Sequence, residues 1–159
     1  TAYEIRLSLV GSEMCIRDRS LNELTSSKAY LQSKFNLPIN YFATPYGAYN
    51  ASVKSQIMSN YTIHRTVDVG FNSKDNFDIT RLKVQNVFST TTAAEVATWI
   101  QQSQIERTWL ILVLHRVASD PGPYDITEIT FADILATINQ SGIAVKRIDQ
   151  ALAELQPQL

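Results

Sequence analysis

The sequence predicts an α/β fold in which parallel strands are joined by crossover helices. Three observations predict it. Strand-like and helix-like periodicities alternate along the chain from Ser20 onward, the pattern of strand–helix–strand units. The run Trp109 to Leu114, WLILVL, is apolar at every position, as expected of a parallel strand covered on both faces. Two helix-start signatures, Ser20 with Glu23 and Thr92 with Glu95, have the spacing of a capping box.

In chain order, SLNELTSSKAYLQSKF reads as a helix starting at Ser20, with Leu21, Leu24, Ala29, Tyr30 and Leu31 near helical spacing. NYFATPYG is a short strand broken by Pro45 and Gly47, and ASVKSQIMSN is a short helix. YTIHRT and LKVQNV are strands, the second following a loop rich in Asn, Asp and Gly from Asp68 to Asp78. TTAAEVATWIQQSQIE is a helix capped by Thr92, and WLILVLH is the strand that follows it. After the loop RVASDPGPYDIT, Thr130 caps FADILATINQ and Gly142 ends it; IAVKRI is then a last strand before DQALAEL. Such units form a small open sheet or part of a larger barrel, and in both cases functional groups belong at the carboxyl ends of the strands.

Thr1 to Arg19 stands apart from this pattern. Its residues fit the codons of a sequencing-library adapter, with Ile5 to Ser8 in the place of the variable index, so residues 20–159 are expected to be the native domain. Leu7 to Val10 is too short for a signal-peptide core or a membrane span. Setting the segment aside removes Cys15, the single cysteine, and with it any candidate for thiol catalysis, a disulfide or a thiolate metal site. It removes equal numbers of acidic and basic residues, so the formal net charge stays at −1. A near-neutral chain without a basic cluster offers no electrostatic footprint for nucleic acid or an anionic membrane.

The chemistry is then carried by few residues. There are two histidines, His64 and His115, and neither stands in a His-x-x-x-His spacing. His64, within YTIHRT, is expected at a strand edge, and His115 closes the apolar strand. Trp99 is expected to pack, Trp109 to pack or to offer a sugar platform, and Arg116 to be a rim charge.

FATPYGAYN, WLILVLHRV and GIAVKRIDQAL, in that order and at these separations, resemble the carboxyl-terminal half of the polysaccharide deacetylases, the NodB-homology group of carbohydrate esterases. The resemblance runs from about Ser20 to the end. It implies a partial, distorted (β/α) barrel truncated at its amino end. The implied activity is metal-dependent hydrolysis of N-acetyl or O-acetyl groups on an acetylated polysaccharide, in an extracytoplasmic setting. The implied cofactor is a divalent metal, zinc, held by an aspartate and two histidines from motifs upstream of the PYG turn. Those ligands are missing from this chain, so the fragment itself is expected to be inactive.

Residue by residue, the resemblance gives His115 the role of general acid toward the leaving group. It gives the backbone N–H of Tyr46 the role of oxyanion donor, with Pro45 and Gly47 shaping the turn. Val113 and Leu114 would line the pocket for the acetyl methyl group. Where the family has an arginine at the head of the PYG motif, this chain has Ala43. The family's histidine-orienting aspartate has no clear counterpart; Asn86 is nearest by position, with Asp68 and Asp78 behind it. These departures keep a second reading open, a non-catalytic domain of the same type that binds glycan or a partner.

Overall fold

The computed structural model describes residues 13–155, with the side chains of residues 13–19 excepted; the adapter reading of residues 1–19 thus lies largely outside the described residues. The fold is mixed α/β. Its strands, β1 (Tyr41–Ala43), β2 (Ile63–Val69), β3 (Leu82–Asn86) and β4 (Leu112–Val113), are ordered β1-β2-β3-β4. Among the described residues the α-helices are α1 (Glu13–Phe35), α2 (Ala51–Asn60), α3 (Ala93–Glu106), α4 (Glu128–Ser141) and α5 (Ile148–Leu155). The chain divides into two compact units, Thr1–His64 and Arg65–Leu159.

In the first unit α1 runs straight through Ser20. The expected capping box is therefore not a helix start: Ser20 lies inside the helix, and its hydroxyl donates to Gln56 Oε1 of α2 at 2.5 Å. Asn36, with φ of 50°, follows the last residue of α1 in the left-handed conformation that ends many helices. Helix α2 occupies the predicted residues and is capped by Asn50, whose side chain accepts from the Val53 N–H. The two helices meet over Leu24, Ile57 and Tyr61, and the Tyr61 hydroxyl donates to the Leu24 carbonyl. Lys28 of α1 donates to the carbonyl of Asn60, a cation at the negative end of the α2 dipole.

In the second unit the strands pair in parallel, Arg65 and Val69 opposite Leu82 and Val84, then Gln85 and Asn86 opposite Leu112 and Val113. The β3-α3-β4 crossover has the predicted form, and Thr92 and Glu95 make both bonds of the predicted capping box. The core gathers Val87, Val96, Ile100, Ile126 and Ile134, with Trp99, Leu112 and Leu114 packed against it. Trp99 packs as the sequence suggests. Gly142, with φ of 67°, ends α4 as read.

Three expectations for this unit need correction. The strand from Trp109 to His115 shortens to Leu112–Val113, because Trp109 turns aside to exchange both backbone bonds with Asn72 (3.2 and 2.9 Å) in an antiparallel bridge. Helix α4 is capped by Thr127, not Thr130; the Thr127 hydroxyl accepts from the Thr130 N–H at 3.1 Å. The predicted last strand, Ile143 to Ile148, joins no ladder among the described residues. Its end is engaged as the entry to α5, where Arg147 N–H donates to Gln150, Ala151 N–H to the Arg147 carbonyl, and Arg147 pairs with Asp149. An apolar groove of about 660 Å³ lies between this stretch and residues 107–114. Among the described residues no helix is long and apolar enough to cross a membrane.

Candidate functional site

Each unit carries one feature of chemical interest at the end of a strand. In the first unit β1 leads into the turn Pro45–Gly47. Proline fixes its own φ, and Gly47 at φ 71° takes a backbone shape that glycine adopts freely. Tyr46 does not share that freedom, yet it sits at φ 57°, ψ 9°, with its side chain wholly exposed. A left-handed non-glycine residue costs about 1–2 kcal/mol, so the surrounding structure must impose it. The turn closes through Gly47 N–H to the Thr44 carbonyl at 3.1 Å.

His64 is the main departure from the sequence reading in this unit. Expected at a strand edge, it is fully buried in β2, which lies between β1 and β3 in the strand order. Its Nε2 is 2.5 Å from Thr44 Oγ1. A ring nitrogen hydrogen-bonded in this way is compatible with burial, whereas an unpaired polar group is costly.

In the second unit His115 follows β4 and is exposed. Its ring lies 5.6 Å from that of Tyr124, which in turn lies 5.8 Å from Phe88. The three form a row at the carboxyl ends of β3 and β4, and both Phe88 and Tyr124 are exposed. The loop carrying Tyr124 is tied down on both sides. Ser89 N–H donates to the Pro123 carbonyl, Asp125 N–H to the Gly122 carbonyl, and Arg116 pairs with Asp125 at 2.7 Å. The Arg116 hydrogen bond, followed by the Gly122 N–H, holds the Asp125 carboxyl below the ordinary carboxylate range. Arg116 is thus the exposed charge that the sequence suggested, with a fixed partner.

The other predicted residues are placed as follows. Pro45, Tyr46 and Gly47 belong to the first unit; Val113, Leu114, Asn86 and His115 belong to the second. Leu114 packs on the helix-covered core, while Val113, one residue away in an extended chain, projects to the opposite side of the strand. The Asn86 side chain donates to the Val67 carbonyl at 3.1 Å, and among the described residues no hydrogen bond joins it to His115. The two aspartates named behind it are also engaged, Asp68 with Arg81 and Asp78 with Thr80. Trp109 packs, stacked on Phe77 at 6.5 Å. Phe88 and Tyr124 escaped the sequence reading; a glycine- and proline-rich loop carrying a tyrosine directly after an exposed histidine was the available signal.

No group of three His, Cys, Asp or Glu side chains among the described residues is arranged to hold a metal ion. The residues present do not fit the ligand set the family resemblance implies, since one histidine is buried against Thr44 and the other stands alone beside Tyr124. Comparison with family models, curated proteins and solved structures finds no match to this chain.

Proposed function

We propose that the chain is the carboxyl-terminal part of a polysaccharide deacetylase of the NodB type, with a partial barrel architecture. The enzyme would remove N-acetyl or O-acetyl groups from a carbohydrate polymer outside the cytoplasm. The observation that carries this reading is the exposed imidazole of His115 at the end of β4, beside two exposed aromatic rings. His115 would give its proton to the departing amine nitrogen or alcohol oxygen as the bond to the acyl carbon breaks. General acids of this kind are worth about 10²–10⁴ in rate. The Tyr46 N–H would hold the oxyanion of the tetrahedral intermediate, a role worth about 10²–10³. Phe88 and Tyr124 would stack on the apolar face of a sugar ring. The divalent metal, zinc by family resemblance, finds no ligand set among the described residues.

A second reading, a non-catalytic domain that binds glycan, is favoured by Ala43 and by the engagement of Asn86 with Val67 instead of His115. The native open reading frame around this sequence tests the choice. Upstream Asp-Asp and His-x-x-x-His segments are expected, with zinc-dependent release of acetate from an acetylated chito-oligosaccharide. His115→Ala should lower that rate by about 10²-fold or more. The present chain alone should bind no stoichiometric zinc and release no acetate. Oligosaccharide binding without turnover in the complete protein would select the second reading, and acetate release undiminished by His115→Ala would remove His115 from the reaction.

A further inference from the structure

Tyr46 poses a mechanical problem that its own side chain does not solve. The ring is fully exposed, so it makes no packing contact that could offset the left-handed backbone. Proline before it fixes only the Pro45 φ, and glycine after it permits many shapes without selecting one. Whatever selects the conformation acts from the residues that flank the turn.

Those residues converge on one buried side chain. Thr44, immediately before the turn, is tied twice: its carbonyl accepts from Gly47 N–H, and its hydroxyl contacts His64 Nε2 at 2.5 Å. The imidazole also meets the chain on both sides of the turn. The Phe42 ring lies 6.3 Å away on the entering side, and the Tyr49 ring meets it edge-on at 5.0 Å on the leaving side. His64 is itself fully buried, so these contacts are not weakened by competition with water.

We infer that His64 is a positioning residue for the Pro45–Gly47 turn. Through the Thr44 hydroxyl, and by packing between Phe42 and Tyr49, it holds the entering and leaving arms at the separation that keeps Tyr46 left-handed. What the turn then does rests on the deacetylase reading, in which the Tyr46 N–H faces the reacting carbonyl. How the turn is held does not.

The test uses the whole 159-residue chain and NMR signals of the turn itself. Positive φ at Tyr46 gives a strong intraresidue NOE between its amide and α protons. Thr44→Val, which removes the hydroxyl at nearly constant volume, and His64→Leu should both weaken that NOE and move the Tyr46 and Gly47 amide shifts. Thr44→Ser should restore the wild-type pattern. A folded Thr44→Val protein with an unchanged Tyr46 NOE would overturn the inference, as would a Thr44→Ser variant no better than Thr44→Val. Should the His64 or Thr44→Val variant fail to fold, the wild-type chain still decides: the proton between Thr44 Oγ1 and His64 Nε2, whichever atom carries it, should exchange slowly with water, and the absence of any such slowly exchanging proton would overturn the inference. In a complete, active enzyme Thr44→Val should lower kcat by about 10-fold or more at unchanged KM, as expected when an oxyanion donor is displaced. An inactive complete protein would count against the deacetylase reading and leave the NMR result standing.

Discussion

The exit of β1 and the exit of β4 each present a residue to solvent, but they hold it by opposite means. At the first, Tyr46 is exposed while the contacts behind it, Thr44 with His64, are buried. At the second, His115 is exposed and so are the Tyr124 ring and Arg116, whose ion-pair partner Asp125 is partly buried. A buried hydrogen bond left half-made costs about 1–3 kcal/mol, whereas an exposed ion pair contributes between about 0 and 1. Under the proposed deacetylase reading, the difference would suit two kinds of chemistry, a backbone donor that must be aimed and a general acid that must exchange its proton with water.

If buried polar contacts dominate the geometry, the largest effect of a single polar truncation should come from Asn72. It is almost fully buried, and its side chain donates to the carbonyls of Lys83 (2.9 Å) and Trp109 (3.3 Å) while accepting from Lys83 N–H (2.9 Å). It therefore fastens the loop after β2 to β3 and to the start of the β4 segment. Asn72→Ala should destabilise the protein by about 2–3 kcal/mol, read as a lower denaturant midpoint at constant slope. A loss below about 0.5 kcal/mol would mean that water replaces these bonds, and the contrast between buried and exposed restraints would lose its basis.

A smaller effect, of opposite sign, is expected at Tyr46. Because its conformation is imposed, Tyr46→Gly should relieve strain and raise stability by about 0.5–1 kcal/mol, even though glycine loosens the unfolded chain. A destabilised Tyr46→Gly protein would show that the tyrosine stabilises the turn and that no strain is stored there.

The same distinction explains what the sequence disclosed. Helices α2 and α3 were legible because capping and helical periodicity are local and a helix satisfies its backbone with its own residues; strands β2 and β3 were legible by their composition and alternation, and each found a neighbour to pair with. The segment Ile143 to Ile148 has strand periodicity as well, but a strand exists only with a ladder partner, and Arg147 and Asp149 commit its end to α5. Ser20 carries a capping pattern that nothing requires it to use once the helix continues through it. The placement of His115 at the end of β4 was legible because an apolar run ending in histidine is visible in one dimension. The burial of His64 was not, since it depends on Thr44 and Tyr49, 20 and 15 positions away in sequence, folding over it. Phe88 and Tyr124 likewise meet only in three dimensions.

The smallest effect should come from the Arg116–Asp125 clamp, whose arginine is exposed. Asp125 is held below its ordinary range by Arg116 first and Gly122 second, so its contribution is complete above the unfolded carboxylate value and is lost as pH falls through the lower folded value. That window lies below about pH 4, and at neutral pH the pair is fully ionised. Arg116→Leu should therefore raise the Asp125 titration midpoint, followed by its carboxyl ¹³C shift, while the melting temperature at pH 7 scarcely changes. An unmoved midpoint would mean that the pair does not persist in solution and that the backbone hydrogen bonds of the loop order it without Arg116. A large fall in melting temperature would instead place this loop beside the Tyr46 turn, as a structure whose restraints are worth more than their exposure predicts.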